Sequence, residues 1–560
     1  MSEKSRFLPL LLIALQVSAQ NPLPVNYFQA PLDTVLQLAG NFAELRPNHF
    51  HAGIDIKTFN KTGMPVHAAA DGYVSRIKIS SFGYGKVIYI THPNGFVTVY
   101  GHLSGFNTVI SDYINEQHYA QKKFEIELFP KPGQFQVKKN EIIAYSGNTG
   151  NSGGPHVHFE IRSEKSEKAI NPLLFGIRVA DNQKPQIRQI KIYPADQDAL
   201  INGHNQSFVQ KDSVSLCGNI YFGMEAFDTE NGGGGKNGVY SVELLVNGKR
   251  IYYHQMDSIG FDQTRAINSF IDYPWYLKKH VLIQRSYVEE NNKLEIYHNV
   301  VNRGVCFFDP DSSYHIRYIL KDIAGNTSSK EFHTYSKPGI KKPASGAEKP
   351  KPVNLKCTAD YTYKDENFKL FIPANCLYSD IDFDYRFFKS KNRQAYSLIN
   401  RIGDPEIPLN DFISISVKVF GYSDSLKKHL FIARISPGGQ KEYIGGDWSA
   451  DFLTAKTNQF GDYQVLADTT APTIQALTIS EGKKITSQKT IDFKINDDFS
   501  GIGNFEGFID GNWILLDYEY KQNKISYTIG SLKGKNHVLK LLVTDKAHNQ
   551  RVFSCNFSSL

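Results

Sequence analysis

Apolar and polar residues alternate along much of the chain, as expected for strands with one buried face. Residues 65–79 show this alternation clearly. The pair Asn94-Gly95 lies between two further alternating runs, residues 87–91 and 96–100, and this arrangement is a strong signal for a β-hairpin. We therefore predict an all-β, mostly antiparallel fold that begins with a domain over residues 20–180.

Short alternating runs continue after this first domain. A basic, proline-rich segment that is poor in large apolar residues interrupts them from Lys337 to Lys351, and such a composition is typical of an exposed linker. The predicted units after the first are a β-sandwich at 181–337, a linker at 338–351, a β-sandwich at 352–468 and a β-sandwich at 469–560.

Two of these units share a weak internal repeat. The first copy has Ala226-Phe-Asp228 and later Asp322-Ile-Ala-Gly-Asn326, and the second has Ile495-Asn-Asp497 and later Asp545-Lys-Ala-His-Asn549. The repeat resembles immunoglobulin-like modules of bacterial exported proteins, which implies two related β-sandwiches. The turns of both copies are rich in aspartate, which either binds calcium or only stabilises the turns, and turn stabilisation is the favoured interpretation. The aspartates are Asp228, Asp322, Asp497, Asp498 and Asp545.

The N-terminus has the pattern of a secretory signal. Lys4 and Arg6 precede an apolar run, residues 7–15, that is too short for a stable membrane span, and small residues follow up to Ala19. We predict that residues 1–19 are cleaved, with a retained membrane anchor as the alternative. The mature chain is then exported to a periplasm or to the cell envelope and exterior, with no stable membrane insertion.

Composition and charge narrow the classes of partner. Hydrophobic residues make up 41% and charged residues 21%, which is ordinary for a globular protein. There are 63 Lys and Arg against 56 Asp and Glu, a net charge of +7 without a basic block, so we predict no nucleic-acid partner. Disulfides (Cys357–Cys376, Cys217–Cys306) and buried free thiols are equally open; the cysteines are Cys217, Cys306, Cys357, Cys376 and Cys555.

Histidines are concentrated in the first domain, and some have a spacing suited to a metal. Residues two apart on a strand share a face, so His156, His158 and Glu160 would project together. His51 and Asp55 would also share a face of an extended segment. Two imidazoles and a carboxylate make an open zinc site, and the domain has no cysteine for a closed thiolate site.

The surrounding motifs occur in a characteristic order and resemble the zinc metallopeptidases of the lysostaphin/LytM type, family M23. The resemblance covers about residues 35–175 and rests on the motifs together. They are His51-x-x-x-Asp55, residues 63–74, Tyr84-Gly-Lys, residues 94–103, residues 146–161 and Asn171-Pro.

The resemblance implies a catalytic role for the domain. His51, Asp55 and His158 match the ligands of a Zn²⁺ cofactor, and His102 and His156 match two histidines that assist catalysis without binding the metal. It also implies a β-sheet groove and an exported endopeptidase that cuts peptides of bacterial peptidoglycan with metal-activated water. The alternatives are a catalytically inert peptidoglycan-binding scaffold, an activator of another cell-wall hydrolase, or a zinc peptidase acting on proteins.

Some features depart from this pattern. His49 offers a shifted ligand, although only His51 has the family spacing to Asp55. Residues 105–134 form a long insertion, with a short helix expected near residues 112–123, that is either a wall of the groove or a plain surface insertion. Glu160 either orients a ligand or caps its strand. The remaining histidines are expected to be surface or packing residues; they are His67, His92 and His118.

Overall fold

The computed structural model describes residues 23–211, 213–232, 234–337, 353–391 and 395–559. The predicted signal at 1–19 and the predicted linker at 338–351 lie outside the described residues. The described chain is built mainly of antiparallel strands, which confirms the all-β prediction. None of its helices is both long and apolar enough to cross a membrane.

The first domain is a twisted sheet with a smaller sheet beside it. The main sheet has the order β1-β4-β13-β8-β7-β6-β10, with β11 on β6 and β14 on β13, and the smaller sheet has the order β5-β12-β9. The elements of this domain are β1 (Leu38–Gly40), β2 (Leu45–Arg46), β3 (His49–Phe50), β4 (Ile54–Lys57), β5 (Pro65–His67), β6 (Gly72–Ile79), β7 (Lys86–Thr91), β8 (Phe96–Gly101), β9 (Gly105–Phe106), α1 (Thr108–Gln121), β10 (Ile126–Leu128), β11 (Gln136–Val137), β12 (Ile142–Tyr145), β13 (His156–Ser163), β14 (Ala169–Ile170) and a 3₁₀-helix (Pro172–Phe175).

The insertion at 105–134 contains the expected helix, but α1 begins four residues earlier than predicted. The Asn107 side chain accepts a hydrogen bond from the Ile110 N–H and so caps the helix there. The following strand, β10, extends the main sheet beside β6, three strands away from β8. Tyr119 packs against Trp513 of the last domain, so the insertion serves as a contact between domains.

The second domain pairs a sheet of order β16-β18-β15-β17, joined by β22 and β23, with a sheet of order β20-β19-β24-β25. Its elements are β15 (Gln186–Pro194), β16 (Leu200–Ile201), β17 (Phe208–Val209), β18 (Leu216–Phe227), β19 (Ser241–Val246), β20 (Lys249–Gln255), β21 (Ser258–Ile259), a 3₁₀-helix (Thr264–Ala266), α2 (Ile267–Phe270), α3 (Tyr273–Lys279), β22 (Gln284–Arg285), a 3₁₀-helix (Asn302–Gly304), β23 (Cys306–Phe308), β24 (Ser313–Lys321) and β25 (Thr327–Tyr335).

The third unit packs a sheet of order β27-β28-β32-β36-β35 against one of order β30-β31-β37-β33-β34 around a shared apolar core. Its elements are β26 (Val353–Leu355), β27 (Tyr361–Lys364), β28 (Phe368–Ile372), β29 (Ile381–Phe383), β30 (Tyr385–Phe388), β31 (Ile399–Ile402), β32 (Pro408–Lys418), a 3₁₀-helix (Lys427–His429), β33 (Leu430–Ile435), β34 (Lys441–Gly445), β35 (Asp447–Ser449), β36 (Phe452–Gln459) and β37 (Gly461–Ala467).

The last unit has sheets of order β38-β40-β44-β43 and β39-β46-β45-β41-β42, in which β39 and β46 are parallel. Its elements are β38 (Thr473–Ala476), β39 (Lys483–Ile485), β40 (Thr490–Asn496), β41 (Ile502–Ile509), β42 (Asn512–Ile514), β43 (Asp517–Glu519), a 3₁₀-helix (Tyr520–Gln522), β44 (Lys524–Thr528), β45 (Asn536–Asp545) and β46 (Gln550–Ser559).

The apolar core of the first domain does not end at residue 180. Ile259, Ile267 and Phe270 of the second domain belong to the same buried cluster as the core of the main sheet, and β14 pairs with β21. The ring of Phe270 lies 5.7 Å from that of Phe50, next to the site described below. The five cysteines are free thiols, so neither of the two conceivable disulfides is formed.

Candidate metal centre

Three side chains from two neighbouring strands and the turn before them converge on one point. β4 and β13 pair antiparallel with His158 opposite Asp55, and His51 precedes β4. His51 Nε2 lies 2.9 Å from His158 Nδ1 and 3.0 Å from Asp55 Oδ1, and the last two atoms are 2.9 Å apart. All three residues are buried, so their donor atoms can act together on one small cation.

Backbone contacts set the proton positions on His51. Its Nδ1 lies 2.7 Å from the carbonyl oxygen of Asn41, which can only accept a hydrogen bond. Nδ1 therefore carries the proton, and the lone pair of Nε2 faces the cluster, as metal ligation by imidazole requires. Burial lowers the pKa of His51 to about 4, so the ring is neutral at ordinary pH.

His158 is held from both sides by carboxylates. Its Nδ1 contacts Asp55, and its Nε2 lies 2.8 Å from Glu160 Oε1. Burial opposes the charged ring, but the hydrogen bonds to Asp55 and Glu160 outweigh it and raise the pKa of His158 to about 9. Burial likewise opposes ionisation of Asp55, yet His51, His156 and His158 keep its pKa well below the usual value. A cation among these atoms would replace the proton of His158, because a ligating nitrogen must be unprotonated.

The two other histidines of the predicted site lie beside this cluster. His102 follows β8 in a left-handed conformation (φ 59°), and its ring centroid is 5.8 Å from that of His158. Its Nδ1 lies 2.8 Å from the Thr149 carbonyl oxygen, while Nδ1 of His156 lies 2.8 Å from that of Gly154. Each carbonyl assigns the proton to Nδ1 and leaves Nε2 as a proton acceptor.

His156 and His102 lie next to each other at the edge of the cluster. His156 Nε2 lies 3.3 Å from Asp55 Oδ1 and has no hydrogen-bond partner, although it is buried. The rings of His102 and His156 are 4.7 Å apart. Burial, reinforced by His158 and His156, lowers the pKa of His102 to about 3. The neutral ring of His102 therefore lies against His156, whose Nε2 faces Asp55 beside the candidate metal centre.

The remaining histidines of the domain have other partners. His49 is exposed on the β2–β3 hairpin, where its Nδ1 contacts the Pro47 carbonyl oxygen, and it does not join the cluster around Asp55. The other three, which we expected to be surface or packing residues, contact backbone carbonyls of their own neighbourhoods; they are His67 with Asn140, His92 with Asp71 and His118 with Lys123.

Glu160 is buried beneath His158, where it forms a hydrogen bond with that ring. It is fully buried, and besides His158 it accepts hydrogen bonds from Tyr84 Oη and from Arg162 Nε, each at 2.5 Å. Burial opposes its ionisation, but Arg162 and His158 lower the pKa of Glu160 to about 2. Residues two apart on a strand share a face, so the sequence alone places Arg162 beside Glu160 and His158 on β13. Tyr84 belongs to a distant turn. Its motif, Tyr84-Gly-Lys, marks the residue, but nothing in the sequence indicates that it contacts Glu160.

Arg46 forms an ion pair with Asp55 that the local sequence does not indicate. Its guanidinium lies 2.5 Å from Asp55 Oδ2, the carboxylate oxygen that does not face the histidines. The charge of Arg46 and the bond that it donates hold Asp55 in one orientation. Arg46 comes from the β2–β3 hairpin, which the overall alternation of the chain does not predict.

The last domain contacts the loop that supports His102 and His156. Lys521 Nζ donates to the Asn148 carbonyl oxygen, and Tyr520 Oη donates to Asn151 Oδ1 at 2.8 Å. The ring of Tyr520 packs 4.5 Å from that of Phe82. The same loop supplies the two carbonyl groups that fix the histidine tautomers, so the last domain borders the site.

Comparison with known proteins identifies the domain that carries the site. The model of peptidase family M23 matches residues 49–118 and 117–172, and the model of the Zu5-like domain matches residues 353–468. The chain therefore contains an M23 peptidase domain, as the motifs predicted, and a Zu5-like domain towards the C-terminus.

Several curated proteins are similar to about a fifth of the chain. The chain is 33% identical over 123 residues to the DD-carboxypeptidase/endopeptidase Mpg of Neisseria meningitidis serogroup B, covering 22% of each protein. It is 30% identical over 128 residues to lysostaphin of Staphylococcus simulans, covering 22% of this chain and 21% of that one. The match thus spans about a fifth of these curated relatives.

Among solved structures, the catalytic domain of the prophage-encoded M23 protein EnpA from Enterococcus faecalis is similar. It is 25% identical and covers 27% of this chain and 98% of its own, with a TM-score of 0.20.

Proposed function

We propose that the chain is an exported zinc metalloendopeptidase that hydrolyses peptide bonds in the stem peptides or cross-links of bacterial peptidoglycan. The observation that carries this proposal is the convergence of His51, Asp55 and His158 on one point with the lone pair of His51 directed inwards. Relatives named as a DD-carboxypeptidase/endopeptidase, lysostaphin and a glycyl-glycine endopeptidase support the substrate class.

The donor set fits Zn²⁺. Two imidazole nitrogens and one carboxylate oxygen are the ligands of many open zinc sites. In this role His51, Asp55 and His158 hold the metal, while Arg46 and Glu160 orient Asp55 and His158. When bound, zinc supplies a Lewis acid that activates water and polarises the scissile carbonyl group.

His102 and His156 act as the proton-carrying groups. Each has Nδ1 bonded to a backbone carbonyl, so each can accept a proton at Nε2, and the Nε2 of His156 faces Asp55. Once protonated, the ring becomes a donor with positive charge, which stabilises a developing oxyanion or protonates the leaving amine. The low pKa of His102 keeps its ring available as an acceptor near neutral pH.

Cleavage of purified cell-wall muropeptides tests this proposal. We expect cleavage by the purified protein, loss of cleavage with a zinc chelator and recovery when zinc is returned. Stoichiometric zinc without cleavage, together with binding to intact peptidoglycan, would instead indicate an inert scaffold or an activator. Cleavage of unfolded proteins but not of muropeptides would indicate a protein substrate.

A further inference from the structure

A second cluster of acidic side chains lies where the peptidase domain joins the second domain. Asp181 belongs to the connection between them, Asp228 follows β18 and Asp322 follows β24. One carboxylate oxygen of each lies within 4.8 Å of the others. Glu230 lies two residues beyond Asp228, in the turn that follows β18. Segments far apart in the chain therefore bring three carboxylates together, and Glu230 is close enough to be repelled by all three.

Two of these carboxylates are buried without sufficient partners. Asp228 is 2% exposed and Glu230 is 7% exposed. Asp228 Oδ1 and Glu230 Oε2 have no hydrogen-bond partner. Burying a charge in this way is costly unless an opposite charge or a metal compensates it. The charged groups that act on both side chains are the other carboxylates, Asp181 and Asp322.

The cluster opens into a cavity between the two domains. The cavity has a volume of about 250 Å³, and both Asp181 and Glu230 line it. Residues 176–179 of the peptidase domain form one side, which includes the exposed cation Arg178, and Ile323 and Ala324 form another. A space of this size accommodates a cation together with several waters that complete its coordination.

We propose that this cluster is a calcium site that ties the second domain to the end of the peptidase domain. Asp181, Asp228, Glu230 and Asp322 supply oxygen ligands, the kind that Ca²⁺ takes in groups of about 6–8. The flexible carboxylate geometry suits Ca²⁺ better than Mg²⁺, which demands a near-ideal octahedron. The cluster offers neither imidazole nor thiolate, so it differs in kind from the site around His51.

Burial and mutual repulsion raise the pKa values of the buried carboxyl groups in the cluster. Burial, followed by repulsion from Asp322, raises the pKa of Asp228 to about 7. Burial, followed by repulsion from Asp228 and Asp181, raises the pKa of Glu230 to about 8. A divalent cation would remove this repulsion and keep both groups ionised.

The repeat provides a matched control. Asp468, Asp497 and Asp545 form a corresponding acidic cluster where the third and last units meet. There, however, Asp497 Oδ2 accepts from the Gly501 N–H and the Phe499 N–H. Asp545 accepts twice from Asn549, just as Asp322 accepts twice from Asn326, so the two clusters differ at Asp497 and Asp228. These carboxylates cap turns, as the sequence interpretation favoured, whereas Asp228 Oδ1 does not.

Calorimetric titration with Ca²⁺ after removal of free calcium by EGTA tests the site. We expect binding with a Kd of about 10⁻⁴–10⁻³ M, the range of extracellular calcium modules. Asp228→Asn should weaken binding by more than about 10-fold. Loss of a group that only orients a metal ligand already costs about that much, and here a ligand itself is changed. Asp497→Asn should leave binding unchanged. No binding at millimolar Ca²⁺, or unchanged binding in Asp228→Asn, would overturn the proposal.

Thermal unfolding and trypsin digestion give readouts that separate a lost ligand from a misfolded variant. Ca²⁺ should raise the Tm of the wild type by a few degrees and slow cleavage after Arg178, which is exposed and precedes Val179. Asp228→Asn should lose both responses, yet in EGTA it should melt no lower than wild type because an unbalanced carboxylate has gone. Glu230→Gln should behave likewise. A lower Tm in EGTA with both calcium responses retained in these variants would overturn the assignment.

Discussion

The cluster around His51 and the cluster around Asp228 are both buried groups of potential metal ligands, yet their charges are arranged differently. At the first, Arg46 pairs with Asp55, and Arg162 pairs with Glu160, while His158 lies between the two carboxylates. At the second, carboxylates face carboxylates. The first cluster therefore balances its charges with its own side chains, whereas the second balances them only by binding protons or, as proposed, a cation.

The two clusters also differ in what fixes their donor atoms. Backbone carbonyls assign the tautomer of His51, so that a nitrogen lone pair is directed inwards, and the same device directs His102 and His156. The acidic cluster has only oxygen donors and leaves Asp228 Oδ1 without a bond. A fixed set of nitrogen donors suits zinc and catalysis, whereas an adaptable set of oxygens suits calcium and a structural role.

Removal of a zinc ligand should have the largest effect and should not reach the acidic cluster. We expect His51→Ala and His158→Ala to lose both zinc and muropeptide cleavage, with the calcium response of the Tm intact. Metal analysis and cleavage assays measure this. His49→Ala is the matched control, because that neighbouring histidine lies outside the cluster. Wild-type zinc content in both ligand variants would contradict the assignment.

Removal of a proton-carrying histidine should separate catalysis from metal binding. His102→Ala and His156→Ala should retain stoichiometric zinc, because neither residue joins the ligand triad. Turnover should fall by about 10²–10⁴-fold, the usual contribution of general acid–base catalysis. Parallel zinc analysis and steady-state kinetics measure this. Undiminished turnover would remove the residue from the reaction, and lost zinc would make it a ligand.

Neutralising Glu160 should weaken zinc binding without abolishing it. Glu160→Gln keeps the shape but removes the charge that holds His158 and Arg162. Zinc affinity should fall by about 10–100-fold, as is typical when the partner of a ligand is lost. Competition with a chelator measures this affinity, and excess zinc should restore cleavage. Glu164→Gln, on the exposed turn after β13, is the control and should bind zinc normally.

The smallest effect concerns the pH dependence of stability in calcium-free protein. The raised pKa values of Asp228 and Glu230, about 7 and 8, mean that the folded state binds more protons than the unfolded state below these values. Stability should therefore fall as the pH rises from the ordinary carboxyl pKa of about 4 to about 8, and it should level off above that. Thermal unfolding in EGTA measures this, and Asp228→Asn should reduce the dependence. A dependence of the same size in Asp228→Asn would place its origin elsewhere.

Much of the peptidase site could be predicted because its signals are local. The period of a strand places His156, His158 and Glu160 on one face, and the four-residue spacing joins His51 to Asp55. The strand pairing then adds only the register that sets His158 opposite Asp55. The all-β class follows in the same way from alternation and from turn residues such as Asn94-Gly95.

The difference between the two acidic clusters could not be predicted from local sequence signals. The repeat drew attention to Asp228, Asp322, Asp497 and Asp545, but turn chemistry accounted equally for both copies. Only the tertiary structure distinguishes them: Gly501 donates to Asp497, whereas Asp228 Oδ1 is buried without a donor. That difference depends on which N–H groups reach each carboxylate after packing, and a short motif does not encode it.

The sequence by itself determined the fold class, the peptidase motifs and the candidate ligands, because these depend on residue type and short-range periodicity. Only the tertiary structure decided which groups from distant parts of the chain surround the candidate ligands. Arg46 at Asp55, Tyr84 at Glu160 and Lys521 at the loop beside His156 all come from other turns or another domain. Such contacts arise from sheet register and domain packing, which bring together residues whose separation along the chain carries no periodic signal.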